Sequence, residues 1–142
     1  MKNRQTGVAL VEFALVLPLL LLLSLTATEL GRAVYRYNTT AKAVRDAVRY
    51  LSVQTPGTHV AEARKLIVYG NTAGTGPLLD SALTEANVAA PTWQTAGSDP
   101  LINTVTVRVT GYTFRPLVAG MFGARFAAIT FNDISATMRS PL

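Results

Sequence analysis

The chain has 142 residues, a formal net charge of +5 and a hydrophobic content of 49%. It contains no cysteine, which excludes disulfide bonds and cysteine-ligated metal or redox centres. The charge excess is modest, so no nucleic-acid-binding surface is predicted. The length suffices for one domain beyond an apolar N-terminal segment.

The first predicted element is an apolar segment near the N-terminus. Between Val8 and Thr28 the sequence has one charged residue, Glu12, and one helix breaker, Pro18. A helix of this length covers roughly 31 Å, close to the hydrocarbon thickness of a bilayer. The segment has no polar face, and in lipid all backbone N–H and C=O groups must form hydrogen bonds within the protein, as they do in a helix. A transmembrane helix is therefore predicted over residues 8–31. Pro18 removes one backbone hydrogen bond and predicts a kink.

Glu12 is the unusual residue of this segment. A carboxylate at the centre of a membrane span costs roughly 3 kcal/mol, and less near an end. Two interpretations remain open. In the first, Glu12 lies one turn inside the headgroups and reaches back to water; in the second, it meets a cation after a processing or assembly step.

Short motifs flank the apolar segment on both sides. A basic leader, residues 1–6, ends in Gly7; Glu12 is the fifth residue after that glycine and an aromatic residue, Phe13, follows it. This arrangement resembles the class III signal of type IV pilin-like proteins. The segment Val8–Ala14, the leucine run and the exit motif resemble the TadE-like family, minor pilins or pseudopilins of the tight-adherence (Tad) pilus system. The exit motif consists of Glu29, Leu30, Gly31 and Arg32.

The resemblance implies a processing event and an assembly contact. A prepilin peptidase would remove residues 1–7 by cleaving between Gly7 and Val8. The new ammonium of Val8 would pair with Glu12 of a neighbouring subunit. The implied partners are the peptidase, other Tad pilins or pseudopilins and inner-membrane platform proteins, and the protein would initiate or cap the filament. Many type IV pilins carry an N-methylated phenylalanine where this chain has Val8, so methylation stays open.

The basic residues of the leader predict the orientation. Lys2 and Arg4 precede the span without an acidic neighbour, so the N-terminus is expected to be cytoplasmic and the C-terminal domain periplasmic. The protein would be a single-pass inner-membrane protein that can enter an extracellular pilus. Two alternatives remain: a membrane-anchored periplasmic binding domain that does not polymerise, and a secreted domain cleaved near Thr28, where Thr26-Ala27-Thr28 is a poor signal-peptidase site.

Beyond the span, residues 32–142 are predicted to form the extracytoplasmic domain, which begins with a stem helix over residues 32–53. Its charged face is either a solvated surface or a basic stripe on anionic lipid or a neighbouring subunit, with Arg32 and Arg36 as the closest candidates. The apolar residues of the stem recur at three- and four-residue spacing: Ala33, Tyr37, Ala41, Val44, Val48 and Leu51.

The rest of the domain is predicted to be one helix and three strands. Thr58 is a predicted N-cap for a helix over about 59–69, and short helical turns are expected at 78–83 and 118–121. Strands are expected at about 87–93, 103–114 and 128–138, with the last two antiparallel and the valines of the second packed on the stem. The predicted fold class is α+β: a pilin-like long N-terminal helix on a small, about three-stranded antiparallel sheet.

No catalytic, cofactor-binding or metal-binding residue is predicted, so the protein is expected to be a peptidase substrate and not an enzyme. The single histidine, His59, is expected to have a capping or surface role, and Trp93 a packing role. Tyr112, Phe114 and Phe126 are expected in the core, although an exposed adhesive patch is the alternative. The acidic residues of the domain show no metal-site spacing: Asp80, Glu85, Asp99 and Asp133.

Overall fold

A computed structural model describes residues 6–118 and 120–141. Most of the leader, including Lys2 and Arg4, lies outside the described residues. The chain forms two compact units. One comprises Met1–Val34 and Pro116–Ala127, and the other comprises Tyr35–Arg115 and Ala128–Leu142.

Two α-helices dominate the structure. Helix α1 covers Thr6–Ser52, so the predicted span and the predicted stem form one continuous element that includes Pro18 without ending there. Helix α2 covers Val60–Tyr69. The predicted N-cap is wrong: His59, with φ 56°, occupies that position, and the hydroxyl of Thr58 instead donates to the carbonyl of Thr55 at 2.7 Å.

The main sheet has three antiparallel strands, as predicted. Strand β1 covers Thr92–Ala96, β2 covers Ile102–Val109 and β7 covers Ile134–Arg139, in the order β1-β2-β7. Two short ribbons complete the strands: β3 (Thr113–Phe114) pairs with β6 (Ile129–Thr130), and β4 (Gly120–Met121) pairs with β5 (Ala124–Arg125).

The first strand begins later than predicted. Residues Glu85–Asn87 form a short 3-10 helix, in which the Asn87 side chain accepts a hydrogen bond from the Thr84 amide at 3.0 Å. Val88 makes only an isolated bridge to Val109. Pro91 lacks a backbone donor, and regular pairing starts immediately after it.

The other two predicted strands are interrupted. Gly111 adopts φ 64°, which ends β2 and turns the chain into β3. The predicted strand over 128–138 divides into β6 and β7, and the Phe131 amide between them donates to the carbonyl of Tyr112. Within the predicted turn at 118–121, Ala119 lies outside the described residues, and Gly120–Met121 form β4, which pairs with β5 instead of forming a helical turn. The predicted turn at 78–83 is also not helical; the Asp80 side chain accepts from the Ala82 amide instead.

The core of the second unit lies between α1, α2 and the sheet. The valine face of β2 packs against the C-terminal part of α1, as predicted. Trp93 packs against this core, and Tyr112 and Phe114 are buried, which agrees with the core prediction. The core prediction is wrong for Phe126, which is half-buried and belongs to the first unit. The central members of the core are Val44, Ala47, Val48, Leu51, Ala63, Ile67, Val68, Val105, Val107 and Val109.

Candidate functional site

The N-terminal turns of α1 carry the predicted processing and assembly residues. Gly7, Val8, Glu12 and Phe13 are all exposed. Val8 and Glu12 are separated by four residues, so they lie one above the other on the same face of the helix. Val11 and Leu15 flank this face, and we call the exposed surface of Val8, Val11, Glu12 and Leu15 the N-terminal face.

Glu12 is a lone charge on an apolar surface. No salt bridge involves it among the described residues. Its helix is long and apolar enough to cross a membrane. In a low-dielectric surrounding an unpaired carboxylate is unfavourable, so this arrangement can accept a cation from outside the described chain.

Glu29 and Arg32 of the exit motif form a second polar cluster, which lies within the first unit. Glu29 is 7% exposed, and its Oε2 accepts a hydrogen bond from Arg32 Nη1 at 2.7 Å. Its Oε1 accepts from the backbone amide of Leu117 at 3.1 Å. The carboxylate therefore binds a neighbouring side chain and holds a distant backbone segment. Gly31 is exposed, and among the described residues a Cβ there would meet no atom within 4 Å beyond its neighbours and its own helix backbone.

A third polar cluster lies inside the second unit, around Asp80. This residue is 5% exposed, and its Oδ1 accepts from Arg36 Nη1 at 3.0 Å. Its Oδ2 accepts from the hydroxyl of Tyr112 at 2.5 Å. The guanidinium carbon of Arg36 also lies 5.7 Å from the centre of the Phe114 ring, within cation–π range. We call Arg36, Asp80 and Tyr112 the buried triad.

The triad changes the chemistry of its tyrosine. Burial raises the pKa of Tyr112 well above its ordinary value, and the adjacent Asp80 carboxylate raises it further through its hydrogen bond and its negative charge. The hydroxyl thus stays a donor to Asp80. This arrangement is a satisfied polar network, in which a cation and a neutral donor compensate one buried carboxylate.

The structure brings together some predicted residues and adds others. Glu29 and Arg32, predicted as motif residues, form a contact. Arg36, predicted to contact lipid or a subunit, has Asp80 as an intrachain partner, and the lipid or subunit contact stays a prediction. Sequence reasoning missed Asp80, Tyr112 and Leu117 as partners, because no local pattern marks contacts between residues 44 or 88 positions apart.

The remaining candidates lie at the surface. His59 Nδ1 lies 3.4 Å from the Tyr50 hydroxyl and 3.7 Å from a carboxylate oxygen of Glu62, which agrees with the predicted surface role. Within residues 6–118 and 120–141, no group of three or more His, Cys, Asp or Glu side chains could hold a metal ion. The predicted absence of catalytic and cofactor sites stays a prediction.

Comparison with known proteins concerns the N-terminal part of the chain. Residues 7–49 match the family model described as TadE-like protein. This segment is TadE-like. The match confirms, over this segment, the resemblance seen in the sequence. No curated protein and no solved structure matches the chain.

The TadE-like segment contains the N-terminal face, the exit motif and Arg36. Two of these features depend on residues outside the segment, since the Leu117 amide donates a hydrogen bond to Glu29 and Asp80 accepts one from Arg36. In each unit, therefore, one charged residue of the TadE-like segment forms a hydrogen bond with a residue far along the chain: Glu29 with Leu117 in the first unit, and Arg36 with Asp80 in the second.

Proposed function

We propose that the chain is a minor pilin or pseudopilin of a Tad-type pilus assembly and secretion machine. In this proposal a prepilin peptidase cleaves between Gly7 and Val8, and the mature protein assembles through α1 to initiate or cap a filament. The observation that carries the proposal is the N-terminal face, where Glu12 has no ion-pair partner among the described residues and lies four residues after Val8.

Electrostatics support the pairing of these two groups. Cleavage before Val8 creates an ammonium at the first residue of the mature helix. The positive end of the helix dipole repels this cation, so the ammonium needs a negative partner. Within one helix that ammonium can approach its own Glu12, but both groups stay exposed to lipid. Pairing with Glu12 of a neighbouring subunit satisfies two charges in one contact between copies, which favours an assembled state over an isolated one.

The proposal also specifies a location and partners. In this proposal the protein resides in the bacterial inner membrane, which the apolar helix supports. Lys2 and Arg4 support a cytoplasmic N-terminus with the domain in the periplasm. Its partners would be the peptidase, other Tad pilins or pseudopilins and the inner-membrane platform proteins. The protein acts as a peptidase substrate and a structural subunit, without a catalytic activity of its own.

Substitution of Glu12 tests the assembly step. We expect Glu12→Ala to abolish incorporation of the protein into pilus fractions of cells that express the complete Tad system, while its amount in the membrane stays unchanged. Glu12→Asp, which keeps the charge, should restore part of the incorporation. Leu10→Ala, at an exposed position on the opposite side of the same helix, is the matched control and should incorporate normally. Normal incorporation of Glu12→Ala would contradict charge pairing and favour a static membrane anchor.

The mature N-terminus tests the processing step independently. Intact mass and N-terminal peptide analysis of protein from its native membrane should give a chain that begins at Val8. A chain that begins near Thr28 would identify a secreted domain, and an intact leader would identify a plain membrane anchor. Gly7→Leu should block cleavage, because the side chain obstructs a narrow protease site, whereas Thr6→Ala should not.

A further inference from the structure

We propose that residues 116–118 and 120–127, which we call the hairpin, form a second membrane-contacting element that inserts into the interface of an anionic bilayer. The hairpin contains β4, β5 and the two-residue turn between them. This inference rests on the membrane-spanning part of the proposed function. It does not depend on leader cleavage or on filament assembly.

The hairpin exposes large apolar side chains. Leu117 is 77% exposed and Phe122, at the tip, is 60% exposed. Aromatic rings near a membrane surface are favoured at the level of the lipid headgroups. Transfer of such side chains from water into the headgroup and acyl boundary is favourable in proportion to the apolar area removed from water.

Phe122 is an unusual residue for the backbone conformation at the tip of the hairpin. Phe122 has φ 51° and Gly123 has φ 82°, so both residues of the turn lie in the left-handed region. A two-residue hairpin turn of this kind favours Asn or Gly at the first position, and a bulky residue there is strained. Local folding therefore does not explain a phenylalanine at an exposed, strained position, whereas contact with an apolar phase does.

The charged residues within the hairpin and directly before it in the sequence are both basic. Arg125 lies within it and Arg115 directly precedes it in the sequence. From Pro100 to Asn132 the sequence contains no acidic residue. An arginine close to an anionic lipid surface is attracted to it. Exposed apolar residues with basic neighbours are the pattern of an interfacial membrane anchor, and this charge complementarity selects an anionic bilayer as the binding partner.

The position of the hairpin agrees with this partner. The hairpin belongs to the same compact unit as the predicted span. The amide of Leu117 donates to Glu29 Oε1 at 3.1 Å, and Glu29 lies two residues before the predicted end of the span at residue 31. This contact holds the start of the hairpin at the level where the helix leaves the bilayer. The start of the hairpin therefore lies beside the predicted end of the span.

The test uses spin labels on the full chain in bilayers that contain anionic lipid. Because the chain has no cysteine, single substitutions give unique labelling sites. Labels at Leu117 and Phe122 probe the hairpin, a label at Leu20 marks the span, and a label at the exposed Thr95 of β1 marks the domain. The measurement is the collision rate of each label with oxygen, which concentrates in lipid, and with a water-soluble nickel chelate.

We expect the labels at Leu117 and Phe122 to resemble the Leu20 label, with an oxygen-to-nickel ratio several-fold above that at Thr95. Arg125→Gln, or removal of the anionic lipid, should lower the ratio at Phe122 without changing it at Leu20. Glu29→Ala should lower the ratio at Leu117, whereas Glu29→Gln keeps an acceptor for the Leu117 amide and should preserve it.

The possible outcomes separate this inference from the proposed function. A water-accessible Phe122 label together with a lipid-exposed Leu20 label would overturn the inference and leave the span intact. A water-accessible Leu20 label would overturn both. If the Phe122 label is shielded from both reagents and shows spin–spin broadening between copies, the hairpin is a subunit interface and the lipid proposal is wrong.

Discussion

The two halves of helix α1 differ in what surrounds their apolar side chains. From Val8 to Leu23 nearly all of the large apolar side chains are exposed, and Leu15 is 75% exposed. From Val44 to Leu51 the apolar side chains are fully buried between α2 and the sheet. Both segments belong to one continuous helix, so helix formation does not account for the difference.

The difference shows that the pattern of apolar residues along a helix indicates whether lipid or the protein core surrounds it. The first half is apolar on every face, which is the pattern for a helix surrounded by lipid. In the second half, apolar and charged residues alternate with helical periodicity, which is the pattern for a helix with one face on a core. Their charges differ in the same way: Arg36 has Asp80 as a partner, whereas the described residues offer Glu12 no salt bridge.

The largest expected effect comes from breaking the buried triad. Asp80→Ala leaves the Arg36 guanidinium without its carboxylate and removes the acceptor of the Tyr112 hydroxyl. Each of these two hydrogen bonds to a charged group is worth about 1.5–3 kcal/mol, so their joint loss should lower the free energy of unfolding by about 3–5 kcal/mol. Urea unfolding of the full chain in detergent micelles, followed by the fluorescence of Trp93, measures this change. Trp93 is the single tryptophan and packs against the core.

The matched control for Asp80→Ala is Asp46→Ala, because Asp46 is an exposed acid on α1. We expect this control to change the free energy of unfolding by less than about 0.5 kcal/mol. Equal effects of the two substitutions would mean that the triad does not stabilise the domain.

A second pair of substitutions compares the two halves of the helix directly. Leu51→Ala removes a fully buried side chain and should lower the free energy of unfolding by roughly 2–5 kcal/mol through lost burial and a residual cavity. Leu20→Ala makes the same chemical change on the apolar exposed half and should leave the unfolding of the domain unchanged. The same Trp93 assay applies to both. A comparable loss for Leu20→Ala would show that the first half also supports the domain core.

The smallest expected effect concerns the pH dependence of the triad. Tyr112→Phe removes one hydrogen bond to a charged group, worth about 1.5–3 kcal/mol at neutral pH. Because folding raises the pKa of Tyr112 above its unfolded value of about 10, its contribution is fully present below pH 10. The contribution is lost as the pH rises from there toward the folded pKa. The stability difference between wild type and Tyr112→Phe should therefore shrink above about pH 10.

Urea unfolding at several pH values between about 8 and 11 measures this profile. Tyr35→Phe, at an exposed position on the same helix as Arg36, is the control and should leave both the stability and its pH dependence unchanged. A stability difference that stays constant across this range for Tyr112→Phe would contradict the role assigned to its hydroxyl.

Local patterns predicted the regular elements of this protein well. The alternation Val105, Val107, Val109 predicted the central strand and the face that packs on α1, because strand side chains alternate strictly between two faces. Predictions failed where a single residue interrupts a pattern. Gly111 ends β2, Pro91 delays β1, and Gly120 allows β4 to approach β5 so closely that a Cβ would lie 2.5 Å from the Ala124 carbonyl oxygen.

The sequence by itself determined the membrane-length apolar helix, the TadE-like motif residues and the α+β class, because each depends on residues close together in the chain. The tertiary structure decided the partners of the charged residues. Glu29 binds the Leu117 amide across 88 positions, and Arg36 binds Asp80 across 44. Such contacts satisfy buried polar groups, and any segment that folding brings near can supply the partner. Local composition therefore identifies the charge that needs a partner, and only the fold identifies the partner.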